Sequence, residues 1–444
     1  MLGFHDTRKW VYTQHIDGKY QRLRRWAFLA LNVLLFATPW VRIAGSPALR
    51  FDLADRRLFA FGAMYTASDT LLLLLLLLFL AFSLFFFTAL FGRLWCGYAC
   101  PQTVFLDTFV RPIERWIEGE WTTRRRRDAG PLTFALAWRK AAKWTLFAAA
   151  AFLVSMGFMS FWAGGPELWT GRAGPVEYSL VAISSAVFFA DFVWFKEQFC
   201  NYLCPYARFQ SALTDDRTLL IGYDPRRGEP RGGKDAKEAG RCIECSKCVN
   251  VCPQGIDIRD GFQLECIGCA ACVDACTGVM GKLGHETLVD YGSLASLAGR
   301  KASLLRPRTA VYAALLTILA VTAVALMHSR VPFEASVSRA PGSLFTMDGD
   351  GYVRNTYFLR LANNAARPDS LHFAVSVEGL AGADVTAPQV SLAPMQDQLL
   401  PLIVRIRAGA STPRTLPMRV RVAALTGQRV LTTTFETGGL DARD

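Results

Sequence analysis

The chemistry of this chain rests on its twelve cysteines, and their spacing indicates which chemistry. Cys242, Cys245, Cys248 and Cys252 follow one another as C-x2-C-x2-C-x3-C, with Pro253 next. Cys266, Cys269, Cys272 and Cys276 repeat that spacing. This is the bacterial two-cluster ferredoxin pattern. Three cysteines three residues apart each wrap one corner of a cubane, and the chain then turns too tightly to supply the fourth. The remote cysteine therefore ligates the other cluster. On this reading Cys242, Cys245, Cys248 and Cys276 hold one 4Fe-4S cluster, and Cys266, Cys269, Cys272 and Cys252 hold the second. Two zinc sites or structural thiols are the alternatives, and eight cysteines in this register argue against them.

The other four cysteines form a duplicated motif. Cys96-Gly97-Tyr98-Ala99-Cys100-Pro101 and Cys200-Asn201-Tyr202-Leu203-Cys204-Pro205 share the form C-x-Y-x-C-P, each just after an apolar run. Cysteines at i and i+4 on a helix face one way. A proline next in sequence suits the first position of a following helix, where its missing N–H costs nothing. The four thiols are candidates for catalysis and for copper. Each pair is within reach of a disulfide. Thiolates select Cu(I). Together the four could also form a zinc-like or cluster site, or be structural. Asp191 lies inside the fourth apolar run, where an acid is costly and often functional, and is a further candidate ligand. Glu197, Trp95, Tyr98 and Tyr202 flank the thiols.

These groups need elements to position them. Apolar residues make up 52% of the 444 and charged residues only 19%. An ordinary soluble domain carries about 25% charge, so a wholly soluble protein is disfavoured. Five runs approach the ~20 apolar residues that cross a bilayer: Trp26 to Ala44, Thr70 to Phe91, Ala141 to Ala163, Tyr178 to Phe199 and Thr309 to Met327. Arg8, Lys9, Lys19, Arg22, Arg24 and Arg25 crowd the N-terminus, and residues 92–140 are equally basic. The opposing short loops hold Arg50, Arg56, Arg57 and Arg172. The positive-inside rule then makes the N-terminus and both cysteine-rich loops cytoplasmic. Five crossings put the remainder on the far side, the periplasm in a Gram-negative bacterium. Both C-x-Y-x-C-P motifs thus lie at one membrane depth, and the duplication suggests paired helices that bring four thiols together.

The expected architecture is a multi-domain membrane protein. Residues 1–213 carry four spans and both duplicated motifs. Residues 214–308 are a cytoplasmic linker, Thr214 to Gly240, followed by a ferredoxin-like module with two 4Fe-4S clusters. Residues 309–328 are the fifth span of the bundle, and 329–444 a β-domain. In that last stretch Gln389–Leu392, Leu399–Arg407, Met418–Ala423 and Val430–Phe435 alternate apolar and polar residues, as in an antiparallel β-sandwich. Net charge is +12. Because Lys and Arg cluster beside apolar runs, membrane anchoring is favoured over nucleic acid as the partner. His5, His15, His285, His328 and His372 all lie away from the middle of a span, against a buried bis-His haem. No glycine-rich nucleotide loop stands out, so electrons come from an outside donor that the sequence leaves unnamed.

At these residues the chain resembles the FixG/CcoG family of cytochrome oxidase accessory proteins. The matching stretches are Gly92 to Val104 (GRLWCGYACPQTV), Ile113 to Gly119 (IERWIEG), Cys204 to Ala212 (CPYARFQSA) and Gly255 to Gly261 (GIDIRDG). The resemblance covers nearly the whole chain and implies an immunoglobulin-like C-terminal domain. It also implies a role in assembling cbb3-type cytochrome c oxidase in the bacterial inner membrane, beside copper-handling proteins, by reducing Cu(II) to Cu(I). Two rivals stand: a ferredoxin-type carrier to another membrane redox partner, and an assembly scaffold with structural clusters. A homo-oligomer stays open. The chain departs from the family after Cys276, where Thr277 replaces an acidic residue and a V-M-D-K stretch is absent.

Overall fold

The computed structural model describes residues 10–43, 45–53, 56–66, 69–232, 240–297, 299–300, 306–364, 370–387, 389–394, 396–407 and 413–438. His5, Arg8, Lys9 and part of the 214–240 linker lie outside the described residues. The chain divides into two units: Met1–Thr38 with Leu75–Val321, and Pro39–Leu74 with Thr322–Asp444.

In the first unit the Phe134–Ala163 helix packs along Pro175–Ala190. Phe147, Ala151, Val154, Phe105 and Phe192 form the core between them and their neighbours. Phe158 stacks on Phe188 at 5.8 Å, and Phe105 meets both rings edge-on. Such pairs add about 0.5–1.5 kcal/mol beyond their area.

Among the described residues four helices are long and apolar enough to cross a membrane: Thr70–Phe91, Phe134–Ala163, Pro175–Phe195 and Pro307–His328. The first helix is not among them. It runs Lys19–Ala37 rather than from Trp26 to Ala44. Pro39 disfavours helix at the residue before it, and the chain passes through a 3-10 turn, Thr38–Trp40, into short strands. Lys19, Arg22, Arg24 and Arg25 occupy its first two turns, leaving an apolar stretch shorter than a bilayer core.

The cysteine-rich module is closed by antiparallel strands Leu220–Tyr223 and Val289–Gly292, paired from Leu220↔Gly292 to Tyr223↔Val289. This corrects the reading of 214–240 as linker throughout: Leu220–Tyr223 is fully buried. The cysteines themselves complete a core with Ile221, Val251, Ile258, Val273 and Val289. Leu219 N–H donates to the Leu90 carbonyl and Thr218 to that of Ala89, which fastens the module to the end of the Thr70–Phe91 helix.

The second unit holds two antiparallel sheets. One orders Asp384–Thr386, Asp397–Arg407, Tyr352–Asn363 and Phe333–Arg339, with Thr346–Met347 on its flank. The other orders Val390–Leu392, Leu371–Glu378, Thr415–Ala424 and Gly427–Glu436. Alternate residues of Tyr352–Asn363 are buried, the period-two pattern expected of a sheet face packed on a core. Tyr357 is fully buried and donates to the Thr434 carbonyl at 2.7 Å. Strands Leu49–Asp52, Arg57–Ala60 and Ala63–Tyr65 belong to this unit, tied by Arg57 to Asp397 at 2.9 Å. Arg330 pairs with Asp69 at 2.6 Å.

Candidate functional site

Cys242, Cys245, Cys248 and Cys276 line one cavity, together with Tyr223 and Arg259. Cys252, Cys266, Cys269 and Cys272 line a second, and Cys248 borders that one too. Each run turns the same way. The residue after the middle cysteine of each C-x2-C-x2-C, Ser246 or Ala270, is left-handed, at φ 53° and 56°. A non-glycine residue there costs roughly 1–2 kcal/mol. Each then opens a helix, Lys247–Asn250 or Ala271–Met280. Folding the chain back at these points aims three thiols of a run into one cavity, while the fourth cysteine reaches the other.

Burial pushes the Cys248 and Cys266 thiols up to about 12 and Cys252 to about 11. Arg259 offsets this at Cys248, and Arg93 does so at Cys266. Leu288 N–H points at Cys276 Sγ from 3.5 Å. Among the described residues no three His, Cys, Asp or Glu side chains converge tightly enough to hold a single metal ion. Four thiols spread around one cavity fit a cluster, which separates its ligands by a cage of iron and sulfide.

The duplicated motifs gather into a third group. Each of the six pairs among Cys96, Cys100, Cys200 and Cys204 is close enough for one thiolate to raise its neighbour's pKa. Burial, then these neighbours, pushes Cys96 and Cys200 up to about 12. The pairs are not simple i, i+4 neighbours on a helix. Cys96 lies in the Leu94–Tyr98 turn and Cys200 in a π turn, Phe199–Leu203, whereas Cys100 and Cys204 are extended, at ψ 126° and 113°. Pro101 and Pro205 force that break and open the next helices, Pro101–Phe105 and Pro205–Leu213. Cys100 thus caps a helix. Burial raises its pKa, and the amides of Gln102 and Thr103 oppose the rise.

Braces of the same kind hold the two halves together. Gln102, after the first C-x3-C-P, donates to both carboxylate oxygens of Asp191 at 3.0 and 2.9 Å, and to the Lys196 carbonyl at 3.0 Å. Tyr206, the matching residue after the second, meets Thr88 at 2.5 Å in the helix before the first. Arg93, three residues before Cys96, donates to the Ala207 carbonyl at 2.5 Å. Glu197, three before Cys200, accepts from Arg111 at 3.1 Å. Asp191, expected as a candidate metal ligand, is placed here as the acceptor of Gln102. Tyr98 approaches Tyr291 at 3.4 Å, and Trp95 and Tyr202 are exposed. Gln102, Thr88, Tyr206 and Arg111 escaped sequence reasoning. Aligning the two motifs one residue beyond each proline would have marked Gln102 and Tyr206.

The thiol group touches the second cysteine cavity. A Cβ on Gly97 would lie 2.7 Å from the Ile267 carbonyl oxygen and 3.0 Å from Cys269 Cα. Arg24 Nε donates to the Gly97 carbonyl at 2.8 Å and Gln21 to that of Cys269 at 3.0 Å, bracing both sides from the first helix. Tyr291 donates to the Gly268 carbonyl at 2.7 Å. The order is therefore the Cys242 cavity, the Cys252 cavity, then the four thiols.

Comparison with known proteins agrees with this layout. Residues 195–294 match a 4Fe-4S dicluster domain, residues 72–122 a 4Fe-4S binding domain, and residues 323–437 the IG-like fold at the C-terminal of FixG. The chain is 34% identical to Protein RdxA of Cereibacter sphaeroides over 403 residues, 84% of this chain and 86% of that protein. It is 34% identical to Protein RdxB of the same organism over 438 residues, 91% and 90% of the two chains. Nitrogen fixation protein FixG of Rhizobium meliloti is 32% identical over 427 residues, 85% of this chain and 81% of that one. With its 4Fe-4S domains and its FixG-type C-terminal domain, the chain belongs to the FixG/RdxA family of iron–sulfur proteins.

Proposed function

We propose that the protein is a membrane oxidoreductase that reduces Cu(II) to Cu(I) at the four thiols of its duplicated motif. The observation that carries this is the contact of Gly97 with the Cys269 loop, which joins the thiol group to the second cluster cavity. Cys242, Cys245, Cys248 and Cys276 would hold one 4Fe-4S cluster, and Cys252, Cys266, Cys269 and Cys272 the other. Bound there, the clusters supply single electrons at low potential. The chain's own residues do the rest. Cys96, Cys100, Cys200 and Cys204 offer soft sulfur donors that favour Cu(I). At Cys100 the amides of Gln102 and Thr103 oppose the rise in pKa that burial causes. One electron from an external donor converts one Cu(II) to Cu(I), and two thiolates satisfy the reduced ion. The resemblance to oxidase accessory proteins makes cbb3-type oxidase assembly the setting, with copper-handling proteins as partners.

The grouping of segments supports a reading with five crossings. Gln14 and Gln21 bond to Asn250 and Cys269 of the cysteine module. Pro39–Leu74 groups instead with the β-domain that follows Pro307–His328. With that apolar helix crossing the membrane, we read the shorter Lys19–Ala37 helix as a further crossing. The N-terminus and cysteine module are then cytoplasmic, and the β-domain is periplasmic in the inner membrane.

A rival reading, a ferredoxin-type carrier to another membrane partner, is favoured by one observation: residues 72–122, which include Cys96 and Cys100, match a 4Fe-4S binding domain. The test reduces the purified protein anaerobically and adds Cu(II) with a Cu(I)-specific chelator. Cluster oxidation with matching Cu(I), lost on Cys→Ser change of all four thiols while both clusters remain, is expected. Cu(I) formation unchanged in that variant leaves the carrier.

A further inference from the structure

A cavity of about 230 Å3 opens beside the second cluster cavity, walled by five arginines: Arg24, Arg25, Arg111, Arg115 and Arg124. Val251 and Pro253 flank Cys252, and Ala271 precedes Cys272, so the far wall is the cluster-binding chain itself. Four of the guanidinium groups have carboxylate partners. Arg24 and Arg111 share Asp107, Arg111 also meets Glu197, Arg124 meets Glu114, and Arg25 meets Asp17. Asp107 and Glu120 are the acids of the lining.

One guanidinium is left over: Arg115, on the cavity wall, is half-buried and makes no ion pair among the described residues. A phosphate group offers several charged oxygens at once, in the geometry that guanidinium forks bind best.

We propose that this cavity binds a phosphate-bearing anion. Two sources share that chemistry, a phospholipid headgroup and a soluble organic phosphate. The first is in keeping with the basic start of the Lys19–Ala37 helix, whose Phe28 also lines the cavity. The second is in keeping with the exposed His15, Arg25 and Glu120 in the lining. Either anion would lie against the chain that carries Cys252 and Cys272. Added negative charge there stabilises the oxidised cluster and lowers its potential. The site does not depend on copper being the substrate.

The test uses the full chain with both clusters, in dodecyl maltoside and stripped of lipid. Inorganic pyrophosphate and dihexanoyl phosphatidylglycerol are titrated separately, with binding heat and the midpoint potential of each cluster as readouts. Saturable one-to-one binding of at least one probe is expected, with a lower potential for one cluster only. Arg115→Gln should weaken binding tenfold or more, and Arg115→Lys less, at unchanged cluster absorbance. Binding of the lipid alone assigns the headgroup, and of pyrophosphate alone the soluble phosphate. If neither probe saturates, or Arg115→Gln binds both as the native chain does, the proposal fails.

Discussion

Gln102 donates to both carboxylate oxygens of Asp191 across 89 residues of sequence, and Tyr206 reaches Thr88 across 118 in the matching position. The residue after each C-x3-C-P proline thus grips the helix that precedes the other motif. Two weakly specific motifs become one four-thiol group through this exchange. A hydrogen bond to a charged group is worth about 1.5–3 kcal/mol, so losing the Asp191 brace should loosen the group without unfolding the chain. Asp191→Ala is expected to lower Cu(I) affinity about tenfold, and Asp191→Asn, which keeps an acceptor, by less. Competition with a Cu(I) chelator measures both, with iron content as control. Equal affinity in Asp191→Ala would make the brace irrelevant to the thiols.

Gly97→Ala tests the join between the thiols and the second cluster cavity. Its Cβ would meet backbone atoms of Ile267 and Cys269 inside normal contact distance, so one loop must move. Overpacking of this kind costs about 1–3 kcal/mol. The expected result is normal cluster absorbance with severalfold slower cluster oxidation by Cu(II) in stopped flow. An unchanged rate would mean that electrons leave the module elsewhere.

The cysteine runs were legible because their spacing is local and matches one cluster-binding pattern. The four long apolar helices were legible for a similar reason: length and composition suffice. What escaped depends on partners far apart in the chain. Leu220–Tyr223 looked like linker because its strand partner lies about seventy residues on and its neighbours are Gly, Pro and charge. Asp191 gave no sign in sequence of Gln102, which lies 89 residues away. The short strands between Arg42 and Tyr65 carry too few residues for alternation to show. The resemblance supplied the immunoglobulin-like domain, where alternation alone reached only a sandwich.

Cys252→Ser separates crossed from sequential ligation. Cys252 belongs to the first run but lines the second cavity, beside Cys266, Cys269 and Cys272. The change should remove the cluster of that cavity and spare the Cys242 cavity, taking iron from about eight to about four per chain. EPR of the reduced variant should then lack spin coupling between two clusters. Loss of the Cys242-side signal instead would overturn the crossed assignment.

Acid should expose the charge network under the bundle. Burial disfavours the Glu114 carboxylate, but Lys196 and Arg124 outweigh it and hold its pKa at about 2. A depressed acid stabilises the fold fully above its unfolded value of about 4.5, and that contribution fades as pH falls toward 2. The shift corresponds to ~3 kcal/mol at neutral pH. Glu114→Gln leaves two cations without their partner and should lower Tm at pH 7, with the gap to the native chain narrowing between pH 4.5 and 3. A gap that stays constant with pH would mean that the charge on Glu114 does not contribute to stability.

The proposed membrane sidedness predicts which loops share a face. Residues of the first unit before Lys19 bond to the cysteine module, and Pro39–Leu74 groups with the β-domain. A single apolar helix, Pro307–His328, separates module from domain in sequence. The proposed five crossings require the Lys19–Ala37 helix to change sides despite its four basic residues. Those long side chains can carry their charge to the interface, and Arg24 spends its own on Asp107 and the Gly97 carbonyl. Epitopes inserted at Gly45 and Gly342, both open to added atoms, should therefore be accessible from the same face of sealed cells. An epitope at Gly284, in the cysteine module and equally open, should be reached only after lysis. Gly45 labelling with Gly284 rather than Gly342 would make the first helix a surface element and leave four crossings.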